Sequence, residues 1–156
     1  MTKTPRKRMS KQEKEKWDEL YEFVRSNVMG YDENMCLSSN MVLRLKGMLN
    51  GKFMANNLIE NKAYYSYDVV LTAFKYSMPD IRRAMNRVSF SNEMNKFLYI
   101  AKIVESNIND VYIRMKRAEK VKKEVIKEAS TVDNHKAVEY KPVKKTVKKD
   151  KFSDLW

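Results

Sequence analysis

Cysteine and histidine are nearly missing: Cys36 and His135 are the only ones in 156 residues. One of each excludes a disulfide framework, a Cys/His zinc site and a Cys–His catalytic pair within the chain. A reducing, cytoplasmic compartment fits that usage. Glycine and proline number three each, too few to punctuate a meander of short strands. No apolar run approaches the ~20 residues needed to span a bilayer. Behind the charges of Lys3, Arg6, Lys7 and Arg8 there is no apolar segment, so a secretory signal is not expected.

Catalytic signatures are missing too. Gly30, Gly47 and Gly51 stand alone, so no glycine-rich phosphate loop exists, and there is no G-x-S-x-G, H-E-x-x-H or C-x-x-C. Pro79-Asp80 followed by Glu93-x-x-Lys96 is close to the PD…(D/E)-x-K arrangement of metal-dependent nucleases. That chemistry needs Glu and Lys alternating on a strand, whereas here two residues intervene and both positions read as helical. Carboxylates such as Asp18 and Glu22 are spaced i,i+4, as on a solvated helix face. His135 lies in a polar tail, and Cys36 has no neighbour that would activate a thiol. The expectation is a protein that is not an enzyme, with no cofactor and no metal.

What is abundant is positive charge, and it is unevenly placed. The chain carries 32 Lys and Arg against 20 Asp and Glu, a net charge of +12. Residues 1–16 and 116–156 hold eleven of those twelve excess charges, leaving residues 17–115 almost neutral. Aromatics show the opposite pattern, with fourteen of seventeen between Trp17 and Tyr112. Core-forming residues and surplus charge are therefore segregated along the chain. The expected organisation is a basic arm over 1–10, a helical domain over 11–129 and a disordered Lys-rich tail over 130–156. Such tails bury too little apolar area to offset ~1–2 kcal/mol of backbone entropy per residue.

Within the body the apolar periodicity is helical, and the fold class is all-α. The expectation is a small, mostly orthogonal helical bundle with a long basic C-terminal helix. Ser10-x-x-Glu13 has the form of a capping box, followed by Trp17, Leu20, Tyr21, Val24 and Val28 at helical spacing, with Gly30 as the stop. A second helix starts at Ser38 or Ser39, buries Met41, Val42, Leu45, Met48 and Leu49, and ends at Asn50-Gly51. Residues 52–65 read as a loop with a short helical turn, or less favourably as an edge strand at Ala63–Tyr65. A third helix fits Ser66 to Ser77, with Pro79 ending it and opening a fourth that buries Ile81, Ala84, Met85 and Val88.

The last helix, about 92–128, carries Met94, Phe97, Ala101, Val104, Ile108, Val111, Met115 and Ala118 at alternating spacings of three and four. That seam serves either an intramolecular core or a homodimer contact. Ser106-Asn107 and Asn109-Asp110 mark a place where the helix can break. Methionines on these stripes act as adaptable core filler.

The basic segments point to nucleic acid, largely without sequence readout, because Lys and Arg gain affinity by releasing condensed counterions. The candidate phosphate contacts are Arg6, Lys7 and Arg8 in the first arm. On the last helix they are Lys116, Arg117, Lys120, Lys122 and Lys123; in the tail they are Lys144, Lys145, Lys148 and Lys149. Membrane binding is disfavoured, since neither an insertion helix nor a lipidation signal is present. Near the C-terminus Phe152, Leu155 and Trp156 are large apolar residues on a segment that cannot fold alone. They either insert into a protein partner's pocket or fold back onto the body.

Tyr99-Ile-Ala-Lys-Ile-Val-Glu105 resembles the closing YI-x-x-IL-x-x-W motif of the DnaD-type C-terminal domain, and Tyr67–Phe74 is similar to the helix preceding it. The resemblance covers roughly residues 64–120. Tyr99, Ile100 and Ile103 match, Val104 is a conservative counterpart, and the Trp position is held by Asn107. The resemblance implies a small helical unit of bacterial and phage replication proteins that binds DNA and acts in primosome assembly or helicase loading. Lys116, Arg117, Lys120, Lys122 and Lys123 fall in the extension that contributes to binding there. The functional expectation is a DNA-replication accessory protein of a phage or mobile element. The competing expectation is a phage protein that inhibits a host nucleic-acid-processing complex.

Overall fold

The computed structural model describes residues 9–53 and 60–132, with side chains through Ser130. The described residues are helical, with no strand among them. The elements are α1 (Lys11–Glu22) continued by a π-helical segment (Phe23–Val28), α2 (Ser39–Leu49), α3 (Tyr67–Arg87) and α4 (Glu93–Val132). One compact unit ends at Glu119, and a second begins at Lys120.

Each start has a side-chain cap. Ser10 accepts from the Glu13 amide at 3.2 Å, and the Glu13 carboxylate accepts from the Ser10 amide at 2.8 Å, completing the expected capping box. Ser38, Ser66 and Asn92 cap α2, α3 and α4 by accepting from Met41, Val69 and Asn95. At the end of α2 the Lys52 amide donates to the Gly47 carbonyl and the Gly51 amide to that of Met48, both at 3.1 Å. This pair of bonds is a Schellman motif, which needs the left-handed φ of +61° at Gly51. The returning chain presses on the same place. A Cβ on Gly51 would lie 3.0 Å from both the Cβ and the backbone nitrogen of Ala63.

The first helix reaches Gly30 as its apolar spacing implies, but through a widened last turn. The Met29 amide donates to the Val24 carbonyl at 2.9 Å, an i→i+5 bond. Two consecutive residues, Val24 and Arg25, are thereby buried together. Arg25 bonds Glu22 through Nε and Nη2 and gives Nη1 to the carbonyls of Asp32 and Met35. Its guanidinium holds the Glu22 carboxyl below the usual carboxylate range. Arginine here ties down the loop leading to α2.

Two boundaries differ from expectation. α3 does not end at Pro79; it continues to Arg87, so the expected third and fourth helices are one. Pro79 removes one donor, to the Lys75 carbonyl, but both residues are exposed, so water can satisfy the orphaned oxygen. The buried side chains Phe74, Ser77 and Ile81 lie on the opposite stripe and hold the helix on its course. Ala84 and Met85 are half-buried and Val88 is exposed, contrary to the expected burial. α4 runs from Glu93 to Val132 without a break at Asn107. Residues 60–65 lie outside any helix or strand, and the expected helical turn over 54–59 falls outside the described residues.

One core joins these elements. Leu20 and Val24, Leu45 and Met48, Val70 and Phe74, and Phe97, Ile100, Val104 and Ile108 belong to a single buried cluster. Burying each such side chain contributes roughly 1.5–3 kcal/mol before entropy is subtracted. α1, the π segment and α2 all pack on α3. The expected seam of α4 is therefore an intramolecular core from Phe97 to Val111; Met94 and Met115 sit at its margin, and Ala118 is exposed. Contacts between Ser77 and Asn107, and between Tyr76 and Arg114, pair falling with rising numbers. α3 and α4 thus form an antiparallel hairpin joined by five residues, 88–92.

Candidate nucleic-acid interface

Five of the expected phosphate-contacting residues lie on α4. Within the first unit Lys116 and Arg117 are exposed, and the Lys116 ammonium stands 5.7 Å from the centroid of the Tyr112 ring. Tyr112 in turn meets Tyr65 edge-on at 5.5 Å. Lys116 also borders a cleft of about 290 Å³ shared with Tyr64, Asp68, Tyr112 and Met115. A neighbouring cleft of about 440 Å³ includes Lys16, Tyr65 and Tyr67, and the 77%-exposed Tyr64 lines both. Burial raises the phenols of Tyr65 and Tyr67 above their ordinary value. Lys16 bonds Asp68, which raises the lysine further.

In the second unit every residue from Lys120 to Ser130 is exposed. Lys120 pairs loosely with Glu124 at 3.9 Å, an i,i+4 arrangement worth a few tenths of a kcal/mol, about 0.3–0.5. Lys120, Lys123 and Lys127 recur at three and four and share one face, with Lys122 apart from it. Val121, Val125 and Ile126 are 55%, 56% and 67% exposed. Arg6, Lys7, Arg8, Lys144, Lys145, Lys148, Lys149, Phe152, Leu155 and Trp156 lie outside the described residues, as does His135.

Other candidates resolve into structural roles. Glu93 and Lys96, the nuclease-like pair, lie 3.8 Å apart on the first turn of α4. Lys96 donates to the Met29 carbonyl at 3.3 Å, and Glu93 accepts from the Tyr31 hydroxyl at 3.0 Å. Burial and that carboxylate push the Tyr31 phenol up to about 12. Asp80 pairs with Arg83 at 3.2 Å. Cys36 is an exposed loop residue, and no cluster of three or more potential metal ligands occurs among the described residues.

Sequence reasoning passes over the cations of the body itself. Arg25 and Arg44 are spent internally, Arg44 on Glu105 at 2.8 Å. Arg82, Arg83, Arg87 and Arg114 are exposed. The near-neutral sum over residues 17–115 conceals them, because a total does not distinguish buried from exposed charge.

These features define a small all-helical protein with a long, exposed, basic C-terminal helix, and among the described residues no helix is long and apolar enough to cross a membrane. The chain belongs to the family of the SPbeta prophage protein YorH, whose family model matches residues 2–155. The phage origin expected from the sequence agrees with that membership. No curated protein and no solved structure matches the chain.

Proposed function

We propose that this chain is a non-enzymatic, nucleic-acid-binding accessory protein of phage DNA replication, of the helicase-loading or primosome type. The observation that carries the reading is the row Lys116, Arg117, Lys120, Lys122 and Lys123, exposed on one helix and continued in sequence by a Lys-rich tail. Such a row attracts phosphates without reading bases. The replication role rests on the resemblance of residues 64–120 to the DnaD-type domain, in which the same stretch contributes to DNA binding. Phe152, Leu155 and Trp156 would then recruit a protein to the bound nucleic acid.

A second reading is a phage factor that blocks a host nucleic-acid-processing complex through protein contacts. The exposed Val121, Val125 and Ile126 favour it, since such residues are more costly to leave in water than lysine. Oligonucleotide affinity measured against salt separates the two. A nucleic-acid binder gives a log–log slope approaching −0.9 per phosphate on duplex DNA, or about −0.7 on single strands. A flat slope, together with a stable complex with one host protein, would establish the second reading instead.

A further inference from the structure

All five exposed arginines among the described residues, Arg82, Arg83, Arg87, Arg114 and Arg117, lie on the α3–α4 hairpin. Four of them form one face. On α3, Tyr76, Arg83 and Arg87 are spaced by seven and four residues, so they share a stripe. Tyr76 marks which side that stripe occupies, because the Arg114 guanidinium of α4 stands 5.4 Å from its ring centroid. On α4, Arg117 is three residues beyond Arg114. Tyr99 is eighteen before Arg117, five full turns at 3.6 residues per turn. The stripes of the two antiparallel helices therefore join at the Tyr76–Arg114 contact.

Two carboxylates belong to this face, Asp80 and Asp110, against four guanidinium groups. Asp80 engages Arg83 at 3.2 Å in an exposed pair, which water and salt weaken. Arg87 and Arg117 have no ion pair to another described residue. Tyr76 and Tyr99 remain 49% and 43% exposed, the latter beside Phe90 at 5.5 Å.

We propose that this Arg/Tyr face of the α3–α4 hairpin is a binding surface for single-stranded nucleic acid, distinct from the basic arms. The inference rests on the nucleic-acid-binding reading above and gives the folded body a share in it. Guanidinium groups hold phosphates through paired donors that lysine lacks. Exposed tyrosines offer stacking faces that only unpaired bases can reach. A strand running along the face would meet phosphate contacts and stacking surfaces in alternation, whereas a duplex would meet the arginines alone.

The test is fluorescence anisotropy on the full chain with labelled oligo(dT) and with a labelled duplex, each titrated over a range of salt. The variants are Arg83→Ala/Arg87→Ala/Arg117→Ala and, separately, Tyr76→Leu. The arginines are exposed and alanine favours helix, so circular dichroism should match the parent. The expected result is a loss of about tenfold or more in oligo(dT) affinity for the triple variant, with a salt slope flattened by about 2. Tyr76→Leu should weaken oligo(dT) by about tenfold and leave the duplex unaffected. If the parent chain binds oligo(dT) and the triple variant binds it equally well, the face is not a binding surface, while the broader reading stands. If the parent binds neither probe at any salt, the broader reading itself fails. Preference of the parent for duplex over oligo(dT) overturns the single-strand assignment.

Discussion

Asn107 donates from Nδ2 to the hydroxyl of Ser77 at 3.1 Å, joining α4 to α3 at a point where Ser77 is fully buried. Two residues of modest helix propensity thus satisfy each other between helices, which is why the helix passes Asn107 without breaking. Where the DnaD-type motif places a Trp, this chain places one half of a polar pair.

That pair should register in a double-mutant cycle. Ser77→Ala removes the acceptor and leaves the Asn107 amide short of a partner, at a cost of about 1–2 kcal/mol. Asn107→Ala should cost a similar amount, and the double variant less than the sum. Urea denaturation checks this; fully additive losses would show that the bond contributes nothing.

The two left-handed glycines should respond differently to alanine. At Gly30 the φ of +71° is met by open space, so alanine should cost only the conformational strain, about 1–2 kcal/mol. At Gly51 the added methyl also meets Ala63, and the total should reach about 3 kcal/mol. Equal thermal midpoints for the two variants would contradict the close approach.

Pro79→Ala should stabilise the protein. It restores the amide that donates to the Lys75 carbonyl on an exposed face, and the gain should be about 1–3 kcal/mol. A lowered denaturation midpoint would show that the core depends on the helix geometry proline imposes.

The buried pair between Arg44 and Glu105 supplies a pH signature. Burial raises the Glu105 carboxyl above its ordinary value of 4.5, outweighing the pull of Arg44. The folded state then binds more protons than the unfolded one between those two values. The stabilisation from Glu105 is therefore complete below the unfolded pKa and is lost as pH rises through the folded one. Glu105→Gln lacks this dependence, so the stability difference between parent and variant should shrink as pH rises above about 4.5. Denaturant titrations across acid to neutral pH check it; a difference that grew with pH would reverse the assignment.

Much of the fold was legible because its signals are local. Ser10 with Glu13, Ser66 before its apolar stripe, and Asn50-Gly51 each decide a helix end within a few residues. Pro79 misled because its cost is local while the burial of Ser77 and Ile81 that outweighs it is tertiary. The π segment left no trace in spacing, since its sign is a buried Arg25 whose partners lie in the loop leading to α2. Site legibility was poorer still. Lys116 and Arg117 stood out as members of a run, whereas Arg83, Arg87 and Arg114 are scattered in sequence and gather only when two helices pair.

The widened turn at Phe23–Val28 sets a limit on how this fold can vary in length. Removing one residue there would let the first helix wind regularly. It would also swing the chain beyond Val28 by about 100°, the angle between successive residues of a helix. Tyr31 would turn away from Glu93, and the Asp32 and Met35 carbonyls away from Arg25. Single-residue deletions at this spot should thus be rarer among relatives than amino-acid exchanges, although most of its side chains have no chemistry to preserve.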